Sequence, residues 1–292
     1  MDLDGILLVD KKEGHTSFET VQKARRILSV KKAGHAGTLD KFASGLLIVC
    51  LGRATSVQDI FMSGFKRYRA TIRLGEETDT LDTYGRVVRT LEARVYTDGE
   101  ISKVLSSFRG KTLQVPPQFS AIHVKGKRSY LRKLGGEDVE LAPREIEVME
   151  IDLAENAGRD VTFEVHASKG TYVRSLARDI AVALGTCGHL TRLRRLTIGS
   201  FSVDDAVSVD ELEGPERVIG LGDSLSALPS IEVEEEKAIR IENGFPLERV
   251  FEGSELVRID HRFVRVLSGG QIIALIEKKE KPCYFKVFKR KG

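Results

Sequence analysis

The chain has 292 residues, 41% hydrophobic and 30% charged, enough for two domains and for a core that needs no disulfide or metal staples. No run approaches the ~18 consecutive apolar residues of a membrane span. Met1-Asp2-Leu3-Asp4 opens on acids rather than a basic leader, and Cys50, Cys187 and Cys283 are too scattered for zinc or disulfide frameworks, so a cytoplasmic protein is expected. The net charge of +3 conceals a strong segregation. Between 20 and 58 the one carboxylate is Asp40, against seven cations, where the chain average would put about six acids. Between 165 and 203 the one acid is Asp179, against Lys169, Arg174, Arg178, Arg192, Arg194 and Arg195. The segment 207–260 offsets both, with fourteen acids and five bases. Two carboxylate-poor stretches far apart in sequence suit one face for a polyanion, or two separately solvated surfaces.

In chain order, the apolar run Gly5–Asp10 predicts a short buried strand. Ser17 suits an N-cap for a helix to about Leu28, with Val21, Ala24, Ile27 and Leu28 on its apolar face. Gly45–Leu51 reads as a buried strand and Tyr68–Leu74 as a strand with one wet face. Pro116-Pro117 marks a loop or the start of a strand, and 126–140 a polar surface excursion. Val161–His166 predicts a strand and Tyr172–Leu184 a helix. The acidic, Gly/Pro-punctuated segment Glu213–Pro229 is expected to be a linker or capping segment. Beyond it, Leu256–Ile259, Phe263–Val266, Gln271–Ile276 and Tyr284–Phe288 suit a small β-rich module whose last sixteen residues carry seven cations and two acids. The expected class is α+β with a β-rich C-terminal domain.

The densest candidate site is Gly34-His35-Ala36-Gly37-Thr38-Leu39-Asp40, where glycines permit close approach of a ligand. Surrounding cations favour the ionised form of Asp40, which suits a nucleophile or base; otherwise it is a loop aspartate capping a turn. Neither GxxxxGK[ST] nor GxGxxG is present. A glycosidase pair would need a second carboxylate from elsewhere, such as Asp179. The six histidines show no ligand spacing, so no metal is expected. In Lys169-Gly170-Thr171-Tyr172-Val173-Arg174, Arg174 sits where it could pair with a carboxylate from another element. Lys66-Arg67-Tyr68-Arg69 places an aromatic among cations, a pattern for base stacking beside phosphates or simply a strand with two faces.

These segments, with Gly5–Lys11 and Arg192-Leu193-Arg194-Arg195-Leu196, match in order the motifs of the TruB family over roughly residues 3–205, and the chain resembles those tRNA pseudouridine synthases, which modify uridine 55 of the T-loop. The tail resembles, more weakly, the PUA-type RNA-binding domain. The resemblance implies the pseudouridine synthase fold, a mixed and largely antiparallel sheet with flanking helices. It implies a catalytic domain at 1–228, with an RNA-contacting insertion at about 124–142 (Lys125, Lys127, Arg128, Arg132, Lys133), and a PUA-like domain at 229–292. It makes Asp40 the catalytic carboxylate, Arg174 its ion-pair partner, and Tyr68 the ring stacked on the target base. Tyr172 and Leu196 become pocket-lining residues, His35 fills the space left by the flipped uridine, and Lys66, Arg67 and Lys169 bind substrate. The partner would be the tRNA T stem-loop, with no cofactor, no metal, no membrane and no obligatory protein partner, the chain acting as a monomer. Attack at C1′, attack at C6 and base action at C2′ all remain open for Asp40.

Departures from the family pattern are Ala36 for Thr, Lys41 for Pro, Ser44 for Thr, Phe119 for Tyr and His123 for Lys. Two alternative readings are an RNA-binding or RNA-folding protein with secondary catalysis, and an RNA-guided pseudouridine synthase. The intact Asp40, Tyr68 and Arg174 set favours an enzyme, and the chain's own insertion favours the stand-alone branch.

Overall fold

Seven of the eight residues from Ser44 to Leu51 are buried, a run that only a strand covered on both faces accommodates. In the computed structural model, which describes residues 3–119, 123–124, 127–128, 141–251, 256 and 259–290, this run lies in the middle of a large sheet. The first strands are β1 (Gly5–Lys11), β2 (Ala33–His35), β3 (Ser44–Leu51) and β4 (Lys66–Leu74). A side hairpin of β5 (Glu76–Thr78) and β6 (Val87–Thr90) precedes β7 (Gly110–Gln114) and the short pair β8 (His123–Val124) and β9 (Lys127–Arg128). β10 (Arg144–Ala157), β11 (Asp160–Ala167), β12 (Gly188–Ile198), β13 (Phe201–Ser202) and β14 (Val218–Gly220) follow. The sheet order is β14-β1-β3-β12-β4-β11-β10-β7, with β2 on β3 and β13 on β12. Its strand pairings are antiparallel except β3 with β12.

That exception positions the site. The two carboxylate-poor stretches of the sequence meet here, Ser44 opposite Arg194 and Gly45 opposite Arg195. Gly45 is required at this seam: its φ is +102°, and a Cβ would lie 2.3 Å from the Arg195 carbonyl oxygen.

Period-two alternation sorts β1 and β3 onto two cores. Leu7, Val9, Leu47 and Val49 pack with Val21 and Ala24 of the helix Ser17–Ile27. That helix begins one residue earlier than its sequence suggested: Thr16 is the N-cap, closing a capping box with Glu19, and Ser17 turns inward instead. Ile6, Leu8, Leu46 and Ile48 face the other way. A third core buries Leu176, Ala177 and Ile180 of the helix Val173–Ala183 against Ala70, Ile72, Phe163 and Val165 of β4 and β11.

The segment Glu213–Pro229 is not a linker. It carries β14, paired with β1 through Gly5–Gly220 to Leu7–Val218, and a short helix, Leu221–Ser224. Leu221 and Leu225 are buried, so their apolar contribution outweighs the acidic, glycine-rich composition that suggested a connector.

The C-terminal sheet is β15 (Ser230–Glu232), β16 (Phe263–Ser268), β17 (Gln271–Glu277) and β18 (Cys283–Val287), in that order. One face packs Val266, Ile273 and Ile276 on Ala238 and Ile241 of the helix Glu235–Glu242. From the other, Phe263 and Leu275 join Phe288 in the core of Ile6 and Leu46, so apolar packing is continuous between the two sheets. Of the expected strand Leu256–Ile259, residues 257 and 258 lie outside the described residues, as do the proposed RNA-contacting side chains Lys125, Lys127, Arg128, Arg132 and Lys133.

Candidate active site

The turn Gly37–Gly45 is held by three buried side chains. Ser17 Oγ accepts from the Leu39 amide at 2.9 Å and donates to the Leu39 carbonyl at 3.1 Å. Lys11 Nζ donates to the carbonyls of Ala43 at 2.5 Å and His15 at 2.8 Å. Arg195, fully enclosed, donates to the carbonyls of Leu46 at 2.8 Å, Gly37 at 3.1 Å and Thr38 at 3.4 Å. Burial pushes the Lys11 ammonium down to about 8, and it lowers Arg195 from its usual value while Tyr68 and Asp40 act in the opposite sense. Buried cations satisfied by backbone carbonyls make a rigid cradle for the turn.

Asp40 stands on this cradle with its side chain 38% exposed. Arg174 Nε, on a side chain only 7% exposed, lies 2.9 Å from Asp40 Oδ2, an ion-pair contact without hydrogen-bond alignment. The rest of the guanidinium is fixed by the Thr80 carbonyl at 2.8 Å, the Phe119 carbonyl at 3.0 Å and Asp82 Oδ2 at 3.3 Å. Phe119 thus serves through its backbone, so the departure from tyrosine there leaves the contact intact. The second carboxylate is Asp82, whose side chain is 8% exposed; Asp179 instead pairs with its neighbour Arg178. Nothing local in the sequence marks Asp82, because it reaches the site through the β5–β6 turn, 42 positions from Asp40.

A cavity of about 1040 Å³ opens over Asp40, lined also by Tyr68, Lys66, Lys169, Tyr172 and Leu193. Alternation along β4 turns Lys66 and Tyr68 toward it and Arg67 away, into an ion pair with Glu150 at 2.5 Å. Burial, then Arg195 and Lys169, lower the Lys66 ammonium to about 8. Gln114 fixes the Tyr172 backbone by accepting from its amide at 2.8 Å and donating to its carbonyl at 3.1 Å. On β12 the lining position belongs to Leu193, beside Arg195; Leu196 sits at a register shift and packs against the neighbouring core. His35, on β2, is half-buried and not part of the lining, its Nδ1 without a partner among the described residues, and burial lowers its pKa. From the C-terminal sheet and the segments beside it, Arg262, Phe263, Lys279 and Phe285 also line the cavity. Among the described residues no group of His, Cys, Asp and Glu could hold a metal, and no helix is long and apolar enough to cross a membrane.

Comparison with solved structures identifies the architecture. A crystal structure of a Cbf5-Nop10-Gar1 complex is 26% identical and superposes with a TM-score of 0.71 over 98% of this chain and 84% of that one. The fold is therefore that of the pseudouridine synthases, here with an additional C-terminal β module. The model of the TruB family pseudouridylate synthase N-terminal domain matches residues 25–173, and that of the tRNA pseudouridylate synthase B C-terminal domain matches 174–217. The tRNA pseudouridine synthase B of Aquifex aeolicus (strain VF5) is 40% identical over 92% of this chain and 97% of its own length. That of Arthrobacter sp. (strain FB24) is 38% identical over 94% and 92%. The chain belongs to the TruB family of pseudouridylate synthases, and is an enzyme of the isomerase class.

Proposed function

We propose that the protein isomerises uridine 55 in the T-loop of tRNA to pseudouridine, with Asp40 as the catalytic carboxylate. The observation that carries this reading is a partly exposed aspartate, 2.9 Å from a buried arginine, at the floor of a cavity edged by lysines. The reaction breaks N1–C1′, turns the base and joins C5 to C1′; C5 loses a proton and N1 gains one. The atoms balance within the nucleotide, so the chemistry requires no cofactor.

The geometry supports a division of labour. Arg174 aims Asp40, and Asp82 in turn fixes Arg174. Tyr68 offers its ring to the extruded base, with Tyr172 and Leu193 closing the pocket around it. Lys66 and Lys169 supply positive charge for the RNA backbone, and His35 backs the turn that approaches the vacated stack. Residues 1–228 form the catalytic domain and 229–292 an RNA-binding module, a division supported by the separate C-terminal sheet. Recognition rests on folded shape and phosphates. The names of the relatives, matched over more than nine-tenths of this chain, favour tRNA as the substrate. The reading is completed by an enzyme that acts alone in the cytoplasm as a monomer, not an RNA-guided one.

The test is Asp40→Asn assayed on a T-arm stem-loop containing one uridine at the target position. The variant is expected to bind with unchanged affinity and form no pseudouridine. Turnover by Asp40→Asn would remove the carboxylate from the mechanism.

A further inference from the structure

The β5–β6 turn that carries Asp82 does more than hold Arg174. It is fixed at many points: Thr78 Oγ1 donates to the Asp82 carbonyl at 2.7 Å, Thr80 Oγ1 to Asp82 Oδ1 at 2.7 Å, and the Arg86 amide to Asp79 Oδ1 at 3.0 Å. Leu81, buried, is held at φ +62°, a conformation a non-glycine residue keeps only where its surroundings impose it. The next side chain outward is Tyr84, whose amide donates to Asp82 Oδ1 at 3.0 Å. Tyr84 is nevertheless 56% exposed. A rigid turn therefore presents a large aromatic to solvent.

Lys41 faces that ring. Its Nζ lies 5.8 Å from the Tyr84 centroid, and its backbone is anchored by the Gly14 amide, which donates to the Lys41 carbonyl at 2.9 Å. Lys41 directly follows Asp40, and Tyr84 hangs from the carboxylate that fixes Arg174. The two thus stand across the mouth of the site, outside the cavity lining, each tied to one side of the Asp40–Arg174 pair. Solitary exposed aromatics are commonplace, but an ammonium over a preorganised exposed ring is the chemistry that engages a nucleotide, the ring by stacking and the cation by its phosphate.

We propose that Lys41 and Tyr84 form a second nucleotide subsite, which stacks a base flanking the target uridine and neutralises its phosphate. On binding, the base takes the ring face that Lys41 covers and the ammonium moves to the phosphate. The subsite steers the RNA strand so that the neighbouring uridine arrives over Asp40. This inference rests on the RNA-substrate reading above.

The experiment measures affinity and kcat/KM for the T-arm stem-loop, and for stem-loops with an abasic site at either nucleotide flanking the target. Tyr84→Ala is expected to weaken binding on the order of tenfold or more, while Tyr84→Phe stays near wild type. One abasic RNA should lose a similar factor with wild type and almost nothing further with Tyr84→Ala. Lys41→Ala should reduce the slope of log affinity against log salt by about 0.7. Unchanged affinity in Tyr84→Ala, or independent multiplication of the Tyr84 and abasic losses, overturns the subsite while leaving the enzyme's activity intact. Failure of the wild-type protein to bind or convert any stem-loop overturns the substrate reading and the subsite with it.

Discussion

Arg174→Met separates what the central ion pairs do for the fold from what they do for the reaction. The substitution leaves Asp82, with its side chain 8% exposed, without a cation, whereas Asp40 at 38% still reaches water. Removing one partner of a buried pair costs about 3–5 kcal/mol. Asp82 keeps its hydrogen bonds from Thr80 Oγ1 and the Tyr84 amide, so the lower end applies, about 3 kcal/mol. For a protein of this size that corresponds to a fall in Tm of roughly 6–12 °C. Adding Asp82→Asn removes the stranded charge but keeps an acceptor for both donors, and should restore at least half of the loss. Turnover should not return, since Asp40 still lacks its guanidinium; kcat is expected about 100-fold or more below wild type in both variants. Thermal unfolding followed by circular dichroism, with single-turnover assays on a stem-loop, reads both quantities. Equal stability of the single and double variants, or recovery of turnover in the double, would refute the reasoning.

Other expectations follow from single features of the structure. Gly45→Ala, at φ +102° with its Cβ 2.3 Å from the Arg195 carbonyl, should destabilise by about 3 kcal/mol, and Gly110→Ala, at φ +95° with open space, by about 1 kcal/mol; urea unfolding ranks them, and equal losses would remove the steric argument. Lys66, held at about 8 when folded and at the ordinary lysine value when unfolded, is protonated more in the unfolded chain between about pH 8 and 10.5. Wild type should therefore gain stability relative to Lys66→Met as pH rises through that window, and a flat difference in unfolding free energy would contradict the burial argument. Stem-loop affinity should fall with salt with a log–log slope between about −2 and −4, as for a few phosphate contacts; a slope near zero would argue against the cationic rim as the binding face.

What the sequence made legible was local or carried by motif. The uninterrupted apolar runs of β1 and β3 and the helical spacing of Val173, Leu176, Ala177 and Ile180 announced their elements, because burial on a regular period leaves a regular trace. The Asp40–Arg174 pair was anticipated from the family motifs, and the scarcity of acids around both residues marked the region that the β3–β12 pairing brings together. Contacts made through backbone geometry left no such trace. Asp82 arrives by the fold of a hairpin, and β14 hides in an acidic stretch because its two apolar residues, Val218 and Ile219, are too short a run to mark a strand. Leu193 rather than Leu196 lines the cavity because alternation along β12 puts Leu193 and Arg195 on one face and Leu196 on the other, against the neighbouring core. Arg67 shares a cationic cluster with Lys66 and Tyr68 in sequence but points to the opposite face of the strand.

The most direct test of the account is to incubate the purified protein with an unmodified tRNA transcript and map pseudouridine at every uridine. Modification is expected at position 55 with the wild-type protein and nowhere with Asp40→Asn. Pseudouridine at another position with uridine 55 untouched, or product from the Asp40→Asn variant, would contradict it.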